Sequence, residues 1–511
     1  MNFLRDLHVL VLGLGESGLA MARWCVRQGA IVRVWDSREN PPHADTLRHE
    51  LPGVELFSGE LPATLPEGTK LLLKSPGLAP HDPRIAPLLQ STRAAGIAVM
   101  AELDLFTRAL ADLKSADGYT PKLLAITGTN GKTTTTAMTG LLIARTGQRV
   151  AVAGNIMPTM LDRLSAALDK DSTERPQVWV LELSSFQLQD AGAFEPDAAA
   201  VLNLTQDHLD WHGGLVAYGA AKARVFGTAG AMVINRDDPS VAAMEPVPVP
   251  TKAVRGKPVA PPRPVLRFGV TLPTRPGDFG LVVENGMAWL VRALPVDDTF
   301  KKKKDEEEEI HLQRLMPADA LRIRGRHNAA NALAALALAT AIGCPLAPML
   351  HGLRDYAGEA HRVQWIGTLG GVEAFDDTKG TNVGATVAAL EGLGADKAPS
   401  LIVVILGGDG KGQDFTPLLG PVRRFARAVA LIGRDAPAIE SALADRGVPM
   451  QRHETLPAAV AWCFEQAKAG DAVLLSPACA SLDMFRNYVH RGEVFVDAVR
   501  EFAAERGEPL A

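Results

Sequence analysis

The strongest chemical signal in the sequence is a short loop after residue 127. An apolar run of strand character leads into it, the apolar positions after it recur at helical spacing, and the loop itself reads Gly128-Thr129-Asn130-Gly131-Lys132-Thr133-Thr134. A glycine-bounded turn between a strand and a helix forms a phosphate cradle, because backbone N–H groups and the positive end of the helix meet an anion there. Lys132 can reach terminal phosphates and Thr133 can hold Mg²⁺. The loop predicts a bound nucleoside triphosphate, with a threonine-rich helix start that binds no phosphate as the alternative.

Two later strand ends carry further oxygen and imidazole ligands. Glu182 closes an otherwise apolar strand, and His208 lies in an Asp-His-Leu-Asp run after the next strand. A carboxylate at the end of a buried strand is costly without a cation, and Mg²⁺ can supply one. We therefore predict Glu182 as a metal ligand, with a salt-bridged surface glutamate as the alternative. For His208, the alternative to a ligand is a structural loop histidine. Lys222 follows on a short helix between alanines, as if a group must approach closely, although by itself it is typical of an exposed lysine.

The C-terminal third again places polar residues directly after apolar strands. Three strand ends present Lys379, Lys411 and Ser481. Because ligands of open α/β sheets bind at the carboxyl ends of strands, these residues predict a second, anionic substrate. Either lysine alone could be a solvated surface residue. Asn328 and Asn331 stand three positions apart on one helix, where two amides could contact a base or cross-link the helix.

A second glycine-rich turn opens the chain. A strand over 7–12 leads into Gly13-Leu14-Gly15-Glu16-Ser17-Gly18, a helix follows over about 17–28, and the next strand, 30–35, ends at Asp36. This order indicates a Rossmann-type unit, in which glycines permit a tight turn and an acidic residue meets a ribose or a neighbouring group. A motif this short leaves three readings open: NAD, another nucleotide, or a tight turn alone. A later strand over 70–74 ends at the turn Ser75-Pro76-Gly77.

The elements that position these residues require several domains. At 511 residues the chain is too long for one core, and about 150 residues per domain suggests three. Strands alternate with helices, which indicates parallel sheets. We predict an α/β protein with three domains, each a mainly parallel sheet with flanking helices: a Rossmann-like domain over 1–105, a P-loop ATPase-like domain over 106–358 and a second Rossmann-like domain over 359–511.

Composition excludes several classes of protein. The net charge of −5 is spread out without a basic stripe, so neither nucleic acid nor a membrane is an expected partner. Four scattered cysteines without a CxxC pair indicate a reducing compartment and buried thiols. With no signal peptide and no run of 18 apolar residues, a cytoplasmic protein is expected. The proline-rich segment 246–264 and the charge run 301–309 are predicted to be solvated surface loops, and the charge run a mobile hairpin tip.

Several motifs in this order closely resemble one known family. They are Gly-Thr-Asn-Gly-Lys-Thr at 128–133, Glu-Leu-Ser-Ser-Phe-Gln-Leu at 182–188, Asp-His-Leu-Asp at 207–210, His-Asn-Ala-Ala-Asn at 327–331, Asp-Thr-Lys-Gly-Thr-Asn at 377–382, Gly-Gly-Asp-Gly-Lys at 407–411 and Ser-Pro-Ala-Cys-Ala-Ser at 476–481. Together they resemble the ATP-dependent Mur ligases of peptidoglycan synthesis. The second and last motifs resemble the branch of the family that adds D-glutamate, rather than the branches that add L-alanine or a diamino acid.

The resemblance implies a reaction and its cofactors. Such an enzyme joins the carboxylate of UDP-N-acetylmuramoyl-L-alanine to the amine of D-glutamate, through an acyl phosphate made with ATP and a tetrahedral intermediate. It implies two Mg²⁺ ions, one held by Thr133 and Glu182 and the other by His208 and a carbamylated Lys222. Small molecules are then the expected partners, and we expect the chain to act as a monomer.

The resemblance also assigns residues to each substrate. The implied catalytic residues are Lys132, Glu182, His208, Lys222 and Lys411. Beyond the loop at 128–134, the implied ATP contacts are Asn328, Asn331, Arg362, Asp377 and Lys379. The UDP-substrate is implied to contact Glu16, Ser17, Asp36, Ser37, Arg38, Gly77, Asn155 and His208. D-glutamate is implied to contact Thr381, Lys411, Ser481 and Tyr488, although Tyr488 stands where the family pattern has Phe. Against the same pattern, the segments 246–264 and 296–312 look like insertions.

Other functions use only part of these features. Another Mur-type ligase would add a different amino acid at the same strand ends. A nicotinamide-dependent dehydrogenase would use the first glycine turn but leaves the 128–133 loop and the two C-terminal lysines without a role. A nucleotide-binding switch would use the loop but has no need of Lys411 or Ser481.

Overall fold

A computed structural model describes residues 3–246, 263–296, 309–444, 447–508 and 510, and its first sheet lies near the N-terminus. This sheet has five parallel strands in the order β3-β2-β1-β4-β5, which places the glycine turn after β1 at its centre. Its strands are β1 His8–Leu12, β2 Ile31–Asp36, β3 Glu55–Ser58, β4 Leu71–Lys74 and β5 Ala98–Met100. Its helices are α1 Glu16–Arg27, α2 Ala44–Glu50, α3 Ala86–Ala94 and α4 Glu102–Asp117.

The second sheet has six parallel strands in the order β11-β10-β9-β6-β8-β7. Its strands are β6 Lys122–Thr127, β7 Val150–Gly154, β8 Val178–Glu182, β9 Ala198–Val201, β10 Ala231–Asn235 and β11 Val265–Phe268. The helices of this region are α5 Lys132–Ala144, α6 Met160–Leu168, α7 Ser185–Asp190, α8 Leu209–His212, α9 Leu215–Ala223, α10 Pro239–Ala242, α11 Arg326–Ala341 and α12 Leu346–Asp355. The phosphate loop therefore leaves a central strand, β6, between β8 and β9.

A small antiparallel sheet, which the sequence did not indicate, follows the second sheet. It consists of β12 Phe279–Glu284, β13 Met287–Pro295 and β14 Ile310–Pro317, in that order. The predicted insertions lie mostly outside the described residues, and so does the charge run 301–309 except for residue 309. The prediction of a mobile hairpin tip is thus not tested, although β13 and β14 on either side of it pair antiparallel.

The third sheet has six strands in the order β15-β16-β20-β17-β18-β19, of which only the edge strand β15 runs antiparallel. Its strands are β15 Gln364–Leu369, β16 Val372–Asp376, β17 Ile402–Gly407, β18 Ala426–Ile432, β19 Met450–Arg452 and β20 Ala472–Leu475. Its helices are α13 Val383–Lys397, α14 Leu419–Phe425, α15 Ala436–Leu443, α16 Leu456–Gln466 and α17 Tyr488–Glu505. The Asp-Thr-Lys, Gly-Gly-Asp and Ser-Pro-Ala motifs follow β16, β17 and β20, three adjacent strands.

The apolar core is continuous between the first two sheets. One cluster contains Leu73 of β4 together with Trp179 of β8 and Leu188 of α7. Phe106 of α4 packs edge-on against Trp179, with ring centroids 5.0 Å apart. The third sheet has separate clusters on its two faces. Apolar contact thus fixes the first sheet against the second more firmly than it fixes the third against either.

The sequence predicted the class of fold correctly. Mainly parallel sheets with flanking helices are present in all three regions, and the strands end within a few residues of the predicted positions. All four cysteines are buried and free, as expected. In the described part of the chain, no helix has the length and apolar character needed to cross a membrane.

Candidate active site

The loop after β6 folds into a cradle whose shape requires glycine. Gly131 precedes α5 with φ +81, and a Cβ there would lie 2.5 Å from Oδ1 of Asn331. Such a φ is unfavourable for other residues, so both backbone and space exclude a side chain. Lys132 is partly buried, and its Nζ donates to the carbonyls of Gly128 and Thr129, each at 2.9 Å. Burial lowers the pKa of Lys132, while Glu182 and Asp207 oppose that change.

Asn203, which the sequence prediction missed, holds this loop in place. Its Oδ1 accepts a hydrogen bond from the N–H of Asn130 at 2.8 Å, and its Nδ2 donates to the carbonyl of Asn130 at 3.0 Å. Thr129 donates through Oγ1 to the carbonyl of Thr205 at 3.2 Å. The position of Asn203, soon after a buried strand next to β6, was the signal that could have indicated this role.

Glu182 lies at the end of β8 and is 1% exposed, so the surface alternative is wrong. Its Oε1 accepts from Nδ2 of Asn155 at 2.7 Å. Its Oε2 is buried and has no hydrogen-bond partner among the described residues. A buried carboxylate oxygen without a partner is costly. It is also the hard oxygen ligand that Mg²⁺ prefers, so Glu182 fits the predicted metal role.

Lys222 is 1% exposed, so it is not the surface lysine that its local sequence suggests. Its Nζ donates to the carbonyl of Gly128 at 2.8 Å and lies 4.5 Å from the centre of the Tyr218 ring. The pKa of Lys222 lies well below its usual value, because burial removes water and Lys132 adds a second positive charge. Both effects favour the uncharged amine.

His208 begins α8 in a left-handed backbone conformation, with φ +53. Its Nε2 lies 3.5 Å from Oδ2 of Asp207, and its ring packs edge-on against Phe186. Burial lowers its pKa, Asp207 acts in the opposite direction, and Lys411, Lys132 and Lys222 lower it further. The positive charges of the three lysines thus favour the neutral imidazole of His208.

The metal ligands predicted at this site are not grouped as a ready-made cage. Among the residues that the structure describes, no three His, Cys, Asp or Glu side chains lie together as a metal site. Thr133 accepts through Oγ1 from Arg362 at 2.6 Å. The oxygens of Thr133 and Glu182 suit Mg²⁺, which commonly completes its coordination with water and substrate phosphates.

A cavity of about 450 Å³ lies beside the phosphate loop. Eight of the twelve residues predicted for ATP line it, and they come from the loop, from α11 and from the third sheet: Asn130, Gly131, Thr134, Asn328, Asn331, Arg362, Asp377 and Lys379. The other four belong to the phosphate loop itself: Gly128, Thr129, Lys132 and Thr133. Phe268 and Asp237 also line the cavity and were not predicted.

Residues of the third sheet bring charge to this cavity. Desolvation lowers the pKa of Lys379 to about 8, with a further contribution from Arg362. Desolvation raises the pKa of Asp377 to about 7, against the effects of Ser476 and Arg362. Asn382 exchanges side-chain hydrogen bonds with Asn130 at 3.2 and 3.1 Å. The third sheet is thus in direct contact with the phosphate loop.

Asn328 and Asn331 interact with each other as well as with the cavity. Nδ2 of Asn331 donates to Oδ1 of Asn328 at 3.1 Å, and Nδ2 of Asn328 donates to the carbonyl of Arg324 at 2.8 Å. The cross-linking alternative is therefore present in the structure. It does not exclude contact with a base, because both residues also line the cavity.

The four residues predicted for D-glutamate line neither this cavity nor the one described next: Thr381, Lys411, Ser481 and Tyr488. Ser481 is buried, Lys411 is exposed, and Thr381 and Tyr488 are partly buried. Nζ of Lys379 lies 3.7 Å from the centre of the Tyr488 ring, which links Tyr488 to the cavity through a cation–π contact. Asn155 and His208 are likewise absent from the lining of both cavities.

A second cavity, of about 500 Å³, lies at the carboxyl edge of the first sheet. All six residues predicted there for the UDP group line it: Glu16, Ser17, Asp36, Ser37, Arg38 and Gly77. Asp36 accepts from the N–H of Leu14 at 2.7 Å and from the guanidinium of Arg38 at 2.8 Å. Burial opposes ionisation of Asp36, but the hydrogen bonds from Arg38 and Leu14 outweigh it and lower the pKa.

The family of the chain follows from matches to three domain models. A Mur ligase MurD-like N-terminal domain matches residues 7–101, a Mur ligase middle domain matches 126–252, and a Mur ligase glutamate ligase domain matches 361–479. The chain belongs to the Mur ligase family.

Several full-length relatives carry the name UDP-N-acetylmuramoylalanine--D-glutamate ligase. The chain is 60% identical to the protein of that name from Albidiferax ferrireducens, over 99% of this chain and 98% of the relative. It is 57% identical to that of Burkholderia multivorans, over 98% of each chain, and 51% identical to that of a Polaromonas species, over all of both.

Solved structures of more distant proteins share the fold. The UDP-N-acetylmuramate-alanine ligase of Thermotoga maritima is 20% identical, with a TM-score of 0.55 over 97% of this chain and 99% of that one. The MurF ligase of the same organism, solved with ADP, is 16% identical, with a TM-score of 0.56 over 98% of this chain and 96% of that one. At this level of identity the likeness establishes the architecture.

Proposed function

We propose that the chain is an ATP-dependent ligase that adds D-glutamate to UDP-N-acetylmuramoyl-L-alanine in peptidoglycan precursor synthesis. The observation that carries this proposal is the 450 Å³ cavity, in which the phosphate loop faces Arg362, Asp377 and Lys379 of the third sheet. Full-length relatives named for the same reaction support it.

The reaction has two steps. An oxygen of the substrate carboxylate attacks the γ-phosphorus of ATP, the bond to ADP breaks, and an acyl phosphate forms. The neutral amine of D-glutamate then attacks the carbonyl carbon, its nitrogen loses a proton, and inorganic phosphate leaves from the tetrahedral intermediate to give the amide. Phosphorylation is needed because a carboxylate is a poor electrophile. In the first step charge builds on the transferred phosphoryl group, so positioning and electrostatic stabilisation dominate catalysis.

Lys132, Arg362 and Lys379 provide the positive charge. Lys132 stands at the positive end of α5, and Arg362 and Lys379 reach the same region from the third sheet. The positive charges of Arg362 and Lys379 both lower the pKa of Lys132. Asn328, Asn331 and Asp377 contact the nucleoside and phosphates of ATP.

The proposed site would be completed by two Mg²⁺ ions. Thr133 and Glu182 would hold one of them, which would give the partnerless Oε2 of Glu182 a partner. His208 and a carbamate on Lys222 would hold the other. The carbamate would form when the Lys222 amine attacks CO₂, making an N–C bond and releasing a proton to solvent. The ions would supply neutralisation of the negative charge that builds during phosphoryl transfer.

The remaining substrate contacts divide between the first and third sheets. The cavity of the first sheet, lined by Glu16, Ser17, Asp36, Ser37, Arg38 and Gly77, holds the uridine and its phosphates. Asn155 and His208 contact the muramoyl portion. Thr381, Lys411, Ser481 and Tyr488 hold D-glutamate, with Lys411 close enough to His208 to act on its charge.

This assignment divides the chain into domains over 1–105, 106–358 and 359–511, for the UDP-substrate, ATP and the amino acid respectively. The partners are the three small-molecule substrates. We propose that the chain works as a monomer in the cytoplasm, where the nucleotide substrates are available.

Release of inorganic phosphate tests the proposal directly. The purified chain, Mg²⁺ and ATP should release phosphate only when both UDP-N-acetylmuramoyl-L-alanine and D-glutamate are present. L-glutamate, L-alanine and a diamino acid serve as matched controls for the amino acid, and UDP-N-acetylmuramate for the acceptor. Turnover with another amino acid and not with D-glutamate would assign the chain to a different branch of the family. Oxidation of a nicotinamide cofactor without phosphate release would overturn the proposal.

A further inference from the structure

A buried ion pair joins the first sheet to the second. Lys74 ends β4 and its side chain is 2% exposed, while Asp190 ends α7 and its side chain is 12% exposed. Nζ of Lys74 lies 2.6 Å from Oδ2 of Asp190. Desolvation lowers the pKa of Lys74 and raises that of Asp190, and the attraction between the two charges opposes both shifts. The pair has no role in the chemistry proposed so far.

Lys74 also holds the turn that lines the cavity of the first sheet. Its Nζ donates to the carbonyls of Leu78, at 2.5 Å, and Ser75, at 3.3 Å. Both residues line that cavity. One ammonium therefore binds the two sides of the turn and the carboxylate of Asp190, so the position of the turn depends on where α7 lies.

Helix α7 connects the ion pair to the catalytic cleft. Its first turn is capped by Ser184, two residues after Glu182, and Ser185 lies 2.9 Å through Oγ from Nε2 of His212. Asp190 is its last residue. A helix of six residues is about 9 Å long. Helix α7 therefore spans a short distance between the end of β8, which carries Glu182, and the contact with Lys74.

Contacts around the ion pair hold helix α7 in place. The ring of Trp211, three residues after His208, has its centre 5.9 Å from Nζ of Lys74 and 4.7 Å from that of Phe186 on α7. Two residues beyond Asp190, the N–H of Gly192 donates to Oδ1 of Asp104 at 2.7 Å. Asp104 also accepts from the N–H of Ala101, which begins α4 after the first sheet.

We propose that Lys74 and Asp190 are positioning residues that set the separation between the UDP-binding turn and the phosphate loop. This inference rests on the proposed function, because only a substrate that occupies both regions must match that separation. The affinity of a ligand confined to the first cavity, such as UDP, does not depend on this separation. The pair thus acts on the acyl end of the substrate through α7 and touches no reacting atom.

The test replaces both charges with apolar residues of similar length, in the variant Lys74→Met/Asp190→Leu. Removing one partner would strand a buried charge, whereas replacing both commonly preserves stability. We expect kcat/KM for UDP-N-acetylmuramoyl-L-alanine to fall at least tenfold more than the affinity for UDP measured by calorimetry, since UDP senses only the loss of the Lys74 bonds to the turn. The KM for ATP should change less than twofold. The melting temperature should stay near that of the wild type.

An exposed ion pair between the same two regions provides the control. Arg27 of α1 and Asp169, just after α6, lie 2.8 Å apart with side chains 37% and 63% exposed. Arg27→Met/Asp169→Leu should leave every kinetic constant unchanged. Asp190→Glu supplies a folded second test, since it keeps the charge but lengthens the contact by one methylene. It should raise the KM for the full substrate without changing the Kd for UDP.

Two results would overturn the inference while leaving the proposed function intact. Wild-type kinetics in both Lys74→Met/Asp190→Leu and Asp190→Glu would show that the pair is inert. An equal loss of UDP and full-substrate affinity would show that it shapes the first cavity and does not set the separation. A wild-type chain with no ligase activity would instead refute the proposed function.

Discussion

The turn over 13–18 and the loop over 128–132 each join a buried central strand to a helix, but their polar groups are arranged differently. Beside the turn, Asp36 accepts from the N–H of Leu14 and pairs with Arg38, and Ser17 donates to Glu102, so the polar groups there already have partners. In the loop, Lys132 and Lys222 both donate to the carbonyl of Gly128.

The glycines of the two segments also differ in what they permit. A Cβ on Gly18 would overlap the carbonyl oxygen of Gly13, so this glycine allows the helix to pack on its own turn. A Cβ on Gly131 would instead meet the side chain of Asn331, which lines the cavity. A turn whose neighbouring charges are already paired is suited to binding, and a loop where Lys132 is approached by Arg362 and Lys379 is suited to stabilising a transferred phosphoryl group. The same strand-turn-helix pattern thus serves two different purposes.

Lys132→Ala should produce the largest difference between the two segments. Losing a charged contact that strengthens in the transition state should cost about 3 kcal/mol or more, which is a loss of at least about a hundredfold in kcat/KM. Phosphate release measures it, and the Kd for UDP should not change. Lys122→Ala, at the start of the strand β6 that leads into the loop and exposed in a pair with Asp197, is the matched control. Activity of Lys132→Ala within tenfold of wild type would remove Lys132 from the mechanism.

Lys222→Ala tests whether the second buried lysine supplies carbamate oxygens. We expect activity to fall by one to two orders of magnitude, that is by about 1.4–2.8 kcal/mol, and to recover in part with a short carboxylate such as formate, which can supply oxygen ligands to Mg²⁺. Mass spectrometry under CO₂ should detect a labile adduct on Lys222 in the wild type. Full activity of the variant together with no adduct would contradict the carbamate.

The contrast between the two segments was only partly visible in the sequence. Apolar runs predicted the parallel strands, and because the carboxyl ends of such strands share an edge, Glu182 and the phosphate loop were expected to lie together. Lys379 follows a strand of a different sheet, and only the family resemblance assigned it to ATP. The antiparallel sheet β12–β14 escaped prediction because its strands are only partly buried and give a weak pattern.

Contacts between segments distant in the chain could not be predicted from local sequence patterns. The burial of Lys222 depends on α9 packing behind the phosphate loop, and local composition suggests the opposite. The bonds of Asn203 to the loop and the pairing of Lys74 with Asp190 likewise depend on tertiary structure, which no local pattern specifies. The ion pair between Asp36 and Arg38 is local in sequence, but the hydrogen bond from the N–H of Leu14 to Asp36 joins residues of two different strand ends.

Asp36→Asn should have a smaller effect, confined to the first cavity. The change removes the charge that holds Arg38 while keeping a side chain of the same shape, which should cost about 1–2 kcal/mol of binding. The KM for the UDP-substrate should rise about tenfold, with kcat and the KM for ATP unchanged. Steady-state kinetics with each substrate varied in turn measures it. Asp45→Asn, an exposed carboxylate paired with Arg48, is the control. A fall in kcat at unchanged KM would place Asp36 in the chemistry.

Glu102→Gln should have the smallest effect, on how stability depends on pH. Glu102 is 1% exposed and accepts from Ser17 of the turn at 2.8 Å and from the N–H of Leu161 in α6 at 3.2 Å, so it connects the two regions. Desolvation raises its pKa from 4.5 to about 7. Because the folded chain holds this proton more tightly, the stabilisation is complete below about pH 4.5 and is lost as the pH rises to about 7.

The variant cannot ionise at this position. Between pH 5 and 7 the unfolding free energy of the wild type should therefore fall, relative to that of Glu102→Gln, by about 1 kcal/mol per pH unit. Above pH 7 the difference between the two should stay level. Urea unfolding across this range measures it. Glu50→Gln is the opposite control, since Arg23 lowers the pKa of that exposed carboxylate and its contribution is lost only in acid. If the wild type and Glu102→Gln gave parallel curves from pH 5 to 7, the Glu102 carboxyl would be ionised in the folded chain, and the link between the turn and α6 would be a charged one.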